Sequence, residues 1–261
     1  MNFIRLITHR PDNAFFNMAV DEAISEAVRQ KVSPPTLRLY RWDRPSLSLG
    51  YFQKISDIDT GYCKTRGYPV VRRQTGGRAI LHHSELTYSF SASADLPPFN
   101  GSLHDTYTVI SNVLIHALDV QGINAIAAFR KKREATHRNP ACFKAVSYGE
   151  ITVNGKKVIG SAQKRYKNGF LQQGSILLRF DSKELGNVLG QKNQNNFSDI
   201  GALNDYVPEI SFHTLGRTLK EAFEKRLNVK MISDGLSKFE QDLAKELKGN
   251  KYSTPEWNFQ R

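Results

Sequence analysis

Two Asn-Gly pairs, Asn154-Gly155 and Asn168-Gly169, constrain the fold of this 261-residue chain more than any other feature. They separate the runs YGEITV, KKVIGSAQKRY and FLQQGSILLRF, all rich in alternating apolar and polar residues. Asn-Gly between such runs is the strongest short-range hairpin signal, because both residues accept the left-handed backbone that a two-residue turn needs. Three antiparallel strands are therefore expected over the third quarter of the chain.

The rest of the chain alternates strands with helices. Residues 3 to 8 predict a strand, and Asp12 is expected to cap a helix with Phe16, Val20, Ala23, Ala27 and Val28 on one side. TLRLYRW (36 to 42) and SLSLGYF (46 to 52) predict two strands around a turn at Asp43, Arg44 and Pro45. PVVRR, AILHH and ELTYSFSA extend the strand-rich stretch, and the TGG between the first two is expected to make a tight turn that another group can approach. A helix is expected from His104 to Val120, a short one over SKELGNVLG, and two amphipathic ones over residues 213 to 227 and 234 to 247, with QKNQNNFSDIG a polar loop. Hairpins interleaved with helices indicate an α+β fold, a mixed, largely antiparallel sheet covered by helices, with residues 1 to 261 as a single domain.

Composition excludes several classes. Hydrophobic residues at 39% and charged residues at 24% are ordinary for a globular chain. No apolar run approaches the ~20 residues of a membrane span, and MNFIRLITHR lacks the parts of a secretory signal, so a cytoplasmic protein is expected. The formal charge of +12 favours an acidic partner. The basic residues are dispersed (RKKR at 130 to 133, others between Lys156 and Arg165, and KELKGNK), a pattern that a lysine-rich surface also produces.

The chain has two cysteines, Cys63 and Cys142, both read as unpaired thiols in a reducing compartment. Cys63 falls inside the helical run SDIDTGYCKTRG; Cys142 falls in the polar stretch RNPACFKAVSYGEI, the better place for a reactive thiolate. For each, and more so for Cys63, the common fate is a small buried hydrophobe, and Lys157 taken alone reads as a surface lysine. Strand alternation points one of His82 and His83 inward and the other outward. No CxxC or HxxxH spacing suggests a metal, and the GxxxxGK[ST], GxGxxG and GxSxG signatures are absent.

RRQTGGRAILHHSELTYS, with ACFKAVSYGEITVNGKKVIGSAQKR and LQQGSILL, closely resembles the biotin/lipoate protein ligase superfamily, and most of all its cysteine-dependent octanoyltransferase branch. The likeness extends to MAVDEA, RWDRPSLSLGYFQ and YSTPEWNFQR. It implies the superfamily's catalytic-domain fold and a first step of lipoate biosynthesis, in which octanoyl passes from octanoyl-acyl carrier protein to a lysine of a lipoyl-bearing protein such as the glycine cleavage H protein. It places the acyl-thioester on Cys142 and the pKa-lowering lysine at Lys157. Substrate contacts fall on Arg73, Gly76, Gly77, Arg78, His82, Gly160, Ser161, Ala162 and Gln163. Neither metal nor cofactor is implied, nor a nucleic acid or membrane as partner. ATP-dependent ligases of the superfamily usually carry a third glycine where this chain has Arg78, and the related amidotransferase has its cysteine nearer the next strand. His83, Val146 and Gly149 depart from the branch's pattern and bear on acyl-pocket shape and acceptor preference. The competing readings are an ATP-dependent lipoate ligase, a lipoyl-domain amidotransferase, and a non-enzymatic basic nucleic-acid-binding or acyl-binding protein.

Overall fold

The computed structural model describes residues 2–128, 150–191 and 197–261. Cys142, Val146 and Gly149 lie outside the described residues. Eleven strands and seven helices are seen among them: β1 (Phe3–Thr8), α1 (Ala14–Arg29), β2 (Thr36–Tyr40), β3 (Ser46–Leu49), α2 (Thr60–Arg66), β4 (Val70–Arg72), β5 (Ile80–His82), β6 (Glu85–Ser93), α3 (Leu103–Val120), β7 (Ile126–Ala128), β8 (Glu150–Val153), β9 (Lys156–Tyr166), β10 (Gly169–Leu177), α4 (Ser182–Val188), α5 (Phe212–Leu227), β11 (Lys230–Ser233), α6 (Lys238–Leu247) and α7 (Pro255–Asn258).

The eight-stranded sheet runs β11-β1-β2-β6-β10-β9-β8-β7, and β4-β3-β5 form a smaller one. In the large sheet β1 pairs parallel with β11 and β2, and every other pairing is antiparallel. This is the expected α+β architecture.

Alternation along β6 divides its residues between two layers. Leu86, Tyr88, Phe90 and Ala92 enter the main core, where α3 contributes Ile110, Val113 and Leu114 and α5 contributes Leu215, Leu219 and Phe223. Glu85, Thr87, Ser89 and Ser91 point the other way and are equally buried. That polar side lies against α1: Asp21 accepts from Ser89 Oγ (2.7 Å), Tyr40 Oη (2.8 Å), Arg38 Nη1 (2.7 Å) and Gln173 Nε2 (2.7 Å). Burial of most of these polar groups is sustained because they satisfy one another, Ser91 Oγ being a buried hydroxyl without a partner.

Several boundaries differ from the sequence reading. Asn13 caps α1, its Oδ1 accepting from Phe16 N at 2.9 Å, while Asp12 Oδ1 accepts from Asn13 N. The runs at 36 to 42 and 46 to 52 do form strands, but β2 joins the large sheet and β3 the small one, so the intervening turn changes sheets. The Asn154-Gly155 turn has φ of 48° and 77°, as a tight hairpin requires. The second Asn-Gly does not: Gly169 begins β10, and a Cβ there would stand 2.6 Å from Ala92 O. Close approach of β6, not turn geometry, requires that glycine. The helix expected from residue 234 starts at Lys238 behind a Ser237 cap, since Lys230–Ser233 is spent on the edge strand beside β1.

Candidate active site

Between the sheets lies a narrow cleft. Arg73, His82, Gly160, Ser161 and Ala162 line it, and Met18, Tyr40 and Trp42 add apolar surface. Five of the residues assigned by resemblance are thus brought together from β5, β9 and the segment after β4.

His82 is buried and stacked on Trp42, with ring centroids 4.0 Å apart and 13° between planes. Its Nδ1 meets Glu85 Oε1 at 2.7 Å and its Nε2 meets Ser48 Oγ at 2.7 Å. Ser175 Oγ donates to Glu85 Oε2 at 2.6 Å, and Thr87 Oγ1 donates to Oε1. Burial opposes ionisation of Glu85, but the His82 charge and the hydrogen bonds from His82, Ser175 and Thr87 outweigh it and hold the carboxyl below its ordinary range. An ionised carboxylate only accepts, so the His82 proton on that side belongs to Nδ1. His83, immediately after β5, is exposed, as alternation predicts.

Arg73 acts as a brace. Nη1 donates to Ser48 O (3.1 Å) and Ser48 Oγ (3.0 Å), and Nη2 to Gly76 O (2.7 Å) and Arg78 O (2.8 Å). Gly76, Gly77 and Arg78 stand outside the cleft lining and are tied to it through these bonds. Gly77 has φ of 88°, and a Cβ on Gly50 would lie 2.0 Å from Gly77 O. Two glycines therefore let the β3 exit and the TGG turn touch through their backbones. Thr75 Oγ1 donates to Gln173 Oε1 at 2.9 Å and docks the turn on β10.

On β9 successive side chains alternate between the cleft and α3. Gln163 turns to the α3 side, where its Oε1 accepts from Thr106 Oγ1 (3.2 Å) and its Nε2 donates to Gln172 Oε1 (3.1 Å). The Ser161 hydroxyl is likewise engaged with Tyr88 Oη at 2.8 Å.

Lys157 is not a surface lysine. Lys156 is exposed, whereas the Lys157 side chain is 1% exposed and its Nζ is paired with Glu150, 4% exposed, across the β8–β9 hairpin. A register irregularity between Ile151 and Thr152 accompanies this pair. At ~3.3 Å per strand residue, Lys157 lies roughly 10 Å along β9 from Gly160 at the cleft. Cys63 is buried in α2, and burial pushes its thiol up to about 11, which keeps it protonated and unreactive at neutral pH. Among the described residues no cluster of three or more His, Cys, Asp or Glu is placed to hold a metal ion.

Sequence reasoning missed Ser48, Glu85, Thr87 and Ser175, which fix His82, and Glu150, which accompanies Lys157. The alternation in SLSL and ELTYSFS was the available signal, but polar alternation also describes a strand facing water. Only α1 and the small sheet lying over it make that side an interior.

The fold is that of the lipoate-protein ligases. A crystal structure of lipoate-protein ligase A bound with ATP matches with a TM-score of 0.84 and 26% identity, over 99% of each chain. The chain belongs to the lipoyl protein ligase A/B catalytic domain family, whose model matches residues 13–224. Its relatives include octanoyltransferase LipM of Carboxydothermus hydrogenoformans, 38% identical over 98% of both chains. Octanoyltransferase LipM of Clostridioides difficile is 36% identical over the whole of both.

Proposed function

We propose that this enzyme, an acyltransferase of lipoate biosynthesis, moves octanoyl from octanoyl-acyl carrier protein to the acceptor lysine of a lipoyl-bearing protein, such as glycine cleavage H protein, through a thioester on Cys142. Full-length similarity to proteins named octanoyltransferase LipM carries this reading. The Cys142 thiolate attacks the octanoyl carbonyl and expels the carrier thiol. The acceptor amine then attacks the acyl-enzyme, forms the amide and returns the cysteine sulfur. Exchange of a thioester for an amide runs downhill, so the scheme needs no ATP.

Lys157 is the cation assigned to favour the thiolate. Its pairing with Glu150 in a buried setting supports a fixed position for that charge. The cleft between the sheets takes the octanoyl tail, with His82, Gly160 and Ala162 among its walls. At roughly 0.8 kcal/mol per buried methylene, the tail contributes about 4 to 5 kcal/mol of binding. The chain's +12 charge suits acidic carrier and acceptor proteins and would speed encounter with both.

Intact mass of the protein mixed with octanoyl-acyl carrier protein in the absence of ATP tests the scheme. An octanoyl adduct should form, map to Cys142, and disappear when unmodified H protein is added. Cys142→Ala should give neither adduct nor transfer. Acceptor labelling that requires ATP and free octanoate or lipoate would instead make the chain a ligase.

A further inference from the structure

A second cavity, of about 270 Å³, lies behind the cleft. Ala79, Leu81, Leu177, Phe180 and Leu185 give it apolar walls, and Arg179 and Glu184 also border it. Of the residues that line this cavity, Ile80 also lines the cleft. Glu85 borders the cavity alone and is held by His82, Ser175 and Thr87. Ile80 is 8% exposed, its backbone is fixed by the pairing with Ser48 on β3, and its side chain packs among Leu47, Leu177 and Leu185 without a polar tether.

We propose that Ile80 is the partition that sets acyl length, closing the cleft behind an eight-carbon tail and shutting longer tails out of the apolar cavity beyond. The inference rests on the reading that the cleft holds the octanoyl tail. Shortening the Ile80 side chain joins the two spaces while the β5 backbone stays in register. Each additional methylene that then reaches apolar wall gains about fourfold in affinity. The substrates admitted are straight-chain acyl thioesters of about twelve carbons, which the native partition rejects on steric grounds.

The test compares acyl-enzyme formation from octanoyl- and dodecanoyl-acyl carrier protein in the wild type, Ile80→Ala and the double variant Ile80→Ala/Leu81→Trp. The wild type should strongly favour octanoyl. Ile80→Ala should raise the dodecanoyl-to-octanoyl ratio of kcat/KM at least tenfold, and the tryptophan, filling the rear cavity, should reverse that gain. An unchanged ratio in an Ile80→Ala protein that still transfers octanoyl overturns the partition. Should that variant fail to fold, Ile80→Val must shift the ratio in the same direction, and no shift counts against the proposal equally. Absence of any octanoyl adduct on the wild type is a different failure, since it overturns the transferase reading itself.

Discussion

Lys157 and Glu150 are the residues whose environment most changes what their side chains can do. A lysine at the start of a hairpin strand ordinarily reaches water, but here the ammonium and its carboxylate partner are both taken into the interior. Removing one member of a buried ion pair typically costs about 3 to 5 kcal/mol, because the other loses the charge that compensated its desolvation. Lys157→Met should therefore destabilise the fold by about 3 kcal/mol as well as stopping transfer, and Lys157→Met/Glu150→Gln should regain most of the stability without the activity. Urea denaturation of the two variants distinguishes the roles. Equal stability of the single and double variants would mean that the pair contributes nothing through its mutual charge. Cys63, by contrast, is a thiol kept inert by burial, so an adduct found there would contradict the assignment of the chemistry to Cys142.

At the scale of elements, the site depends on how the TGG turn meets the end of β3. Gly50, Gly76 and Gly77 make three different demands: Gly50 has no space for a Cβ, Gly77 has a left-handed φ, and a Cβ on Gly76 meets nothing within 4 Å. Gly50→Ala should displace the turn and cut octanoyl transfer most severely, because the obstructing atom is backbone. Gly77→Ala should cost about 1 to 2 kcal/mol, and Gly76→Ala should be close to neutral in stability. Denaturation midpoints together with transfer rates check the order, and a Gly76→Ala defect as large as that of Gly50→Ala would refute it. The sequence made the TGG turn, the β8–β9–β10 hairpins and most helices legible, because turn chemistry and periodicity are local. It left β11 unread, since KMIS buries only Met231 and pairs at an edge with a strand more than two hundred residues away. It also hid the small sheet: nothing local in SLSL says that its partners are Val70–Arg72 on one side and Ile80–His82 on the other. The candidate site was legible as a set of motifs, but Glu85, Ser48 and Glu150 became visible only once distant strands were brought together.

Across the whole molecule, a continuous polar network links the start of the chain to the site. His9 Nδ1 accepts from Arg38 Nε at 2.9 Å, Arg38 binds Asp21, Asp21 accepts from Gln173, and Gln173 receives Thr75 of the TGG turn. Burial, reinforced by the Arg38 charge, lowers the His9 pKa to about 4. The unfolded chain has an ordinary histidine near 6.5, so between these values the unfolded state binds more protons than the folded one. The contribution is therefore fully present above about pH 6.5, falls as the pH drops through the window, and levels off below about 4. Solvent screening of this partly exposed ring reduces the effect to about 1 to 2 kcal/mol. Glu85 and Glu240 act in a lower window, since carboxyls depressed by their partners stabilise the fold above the ordinary carboxylate pKa and lose that contribution only as the pH falls through their folded values. Stability of the wild type and His9→Gln, measured by urea denaturation at intervals from pH 7.5 to 4.5, separates the two. The wild type should lose about 1 kcal/mol more than the variant across that interval. Parallel curves would show that His9 does not carry the loss, and would leave the Arg38–Asp21 end of the network insensitive to mild acid.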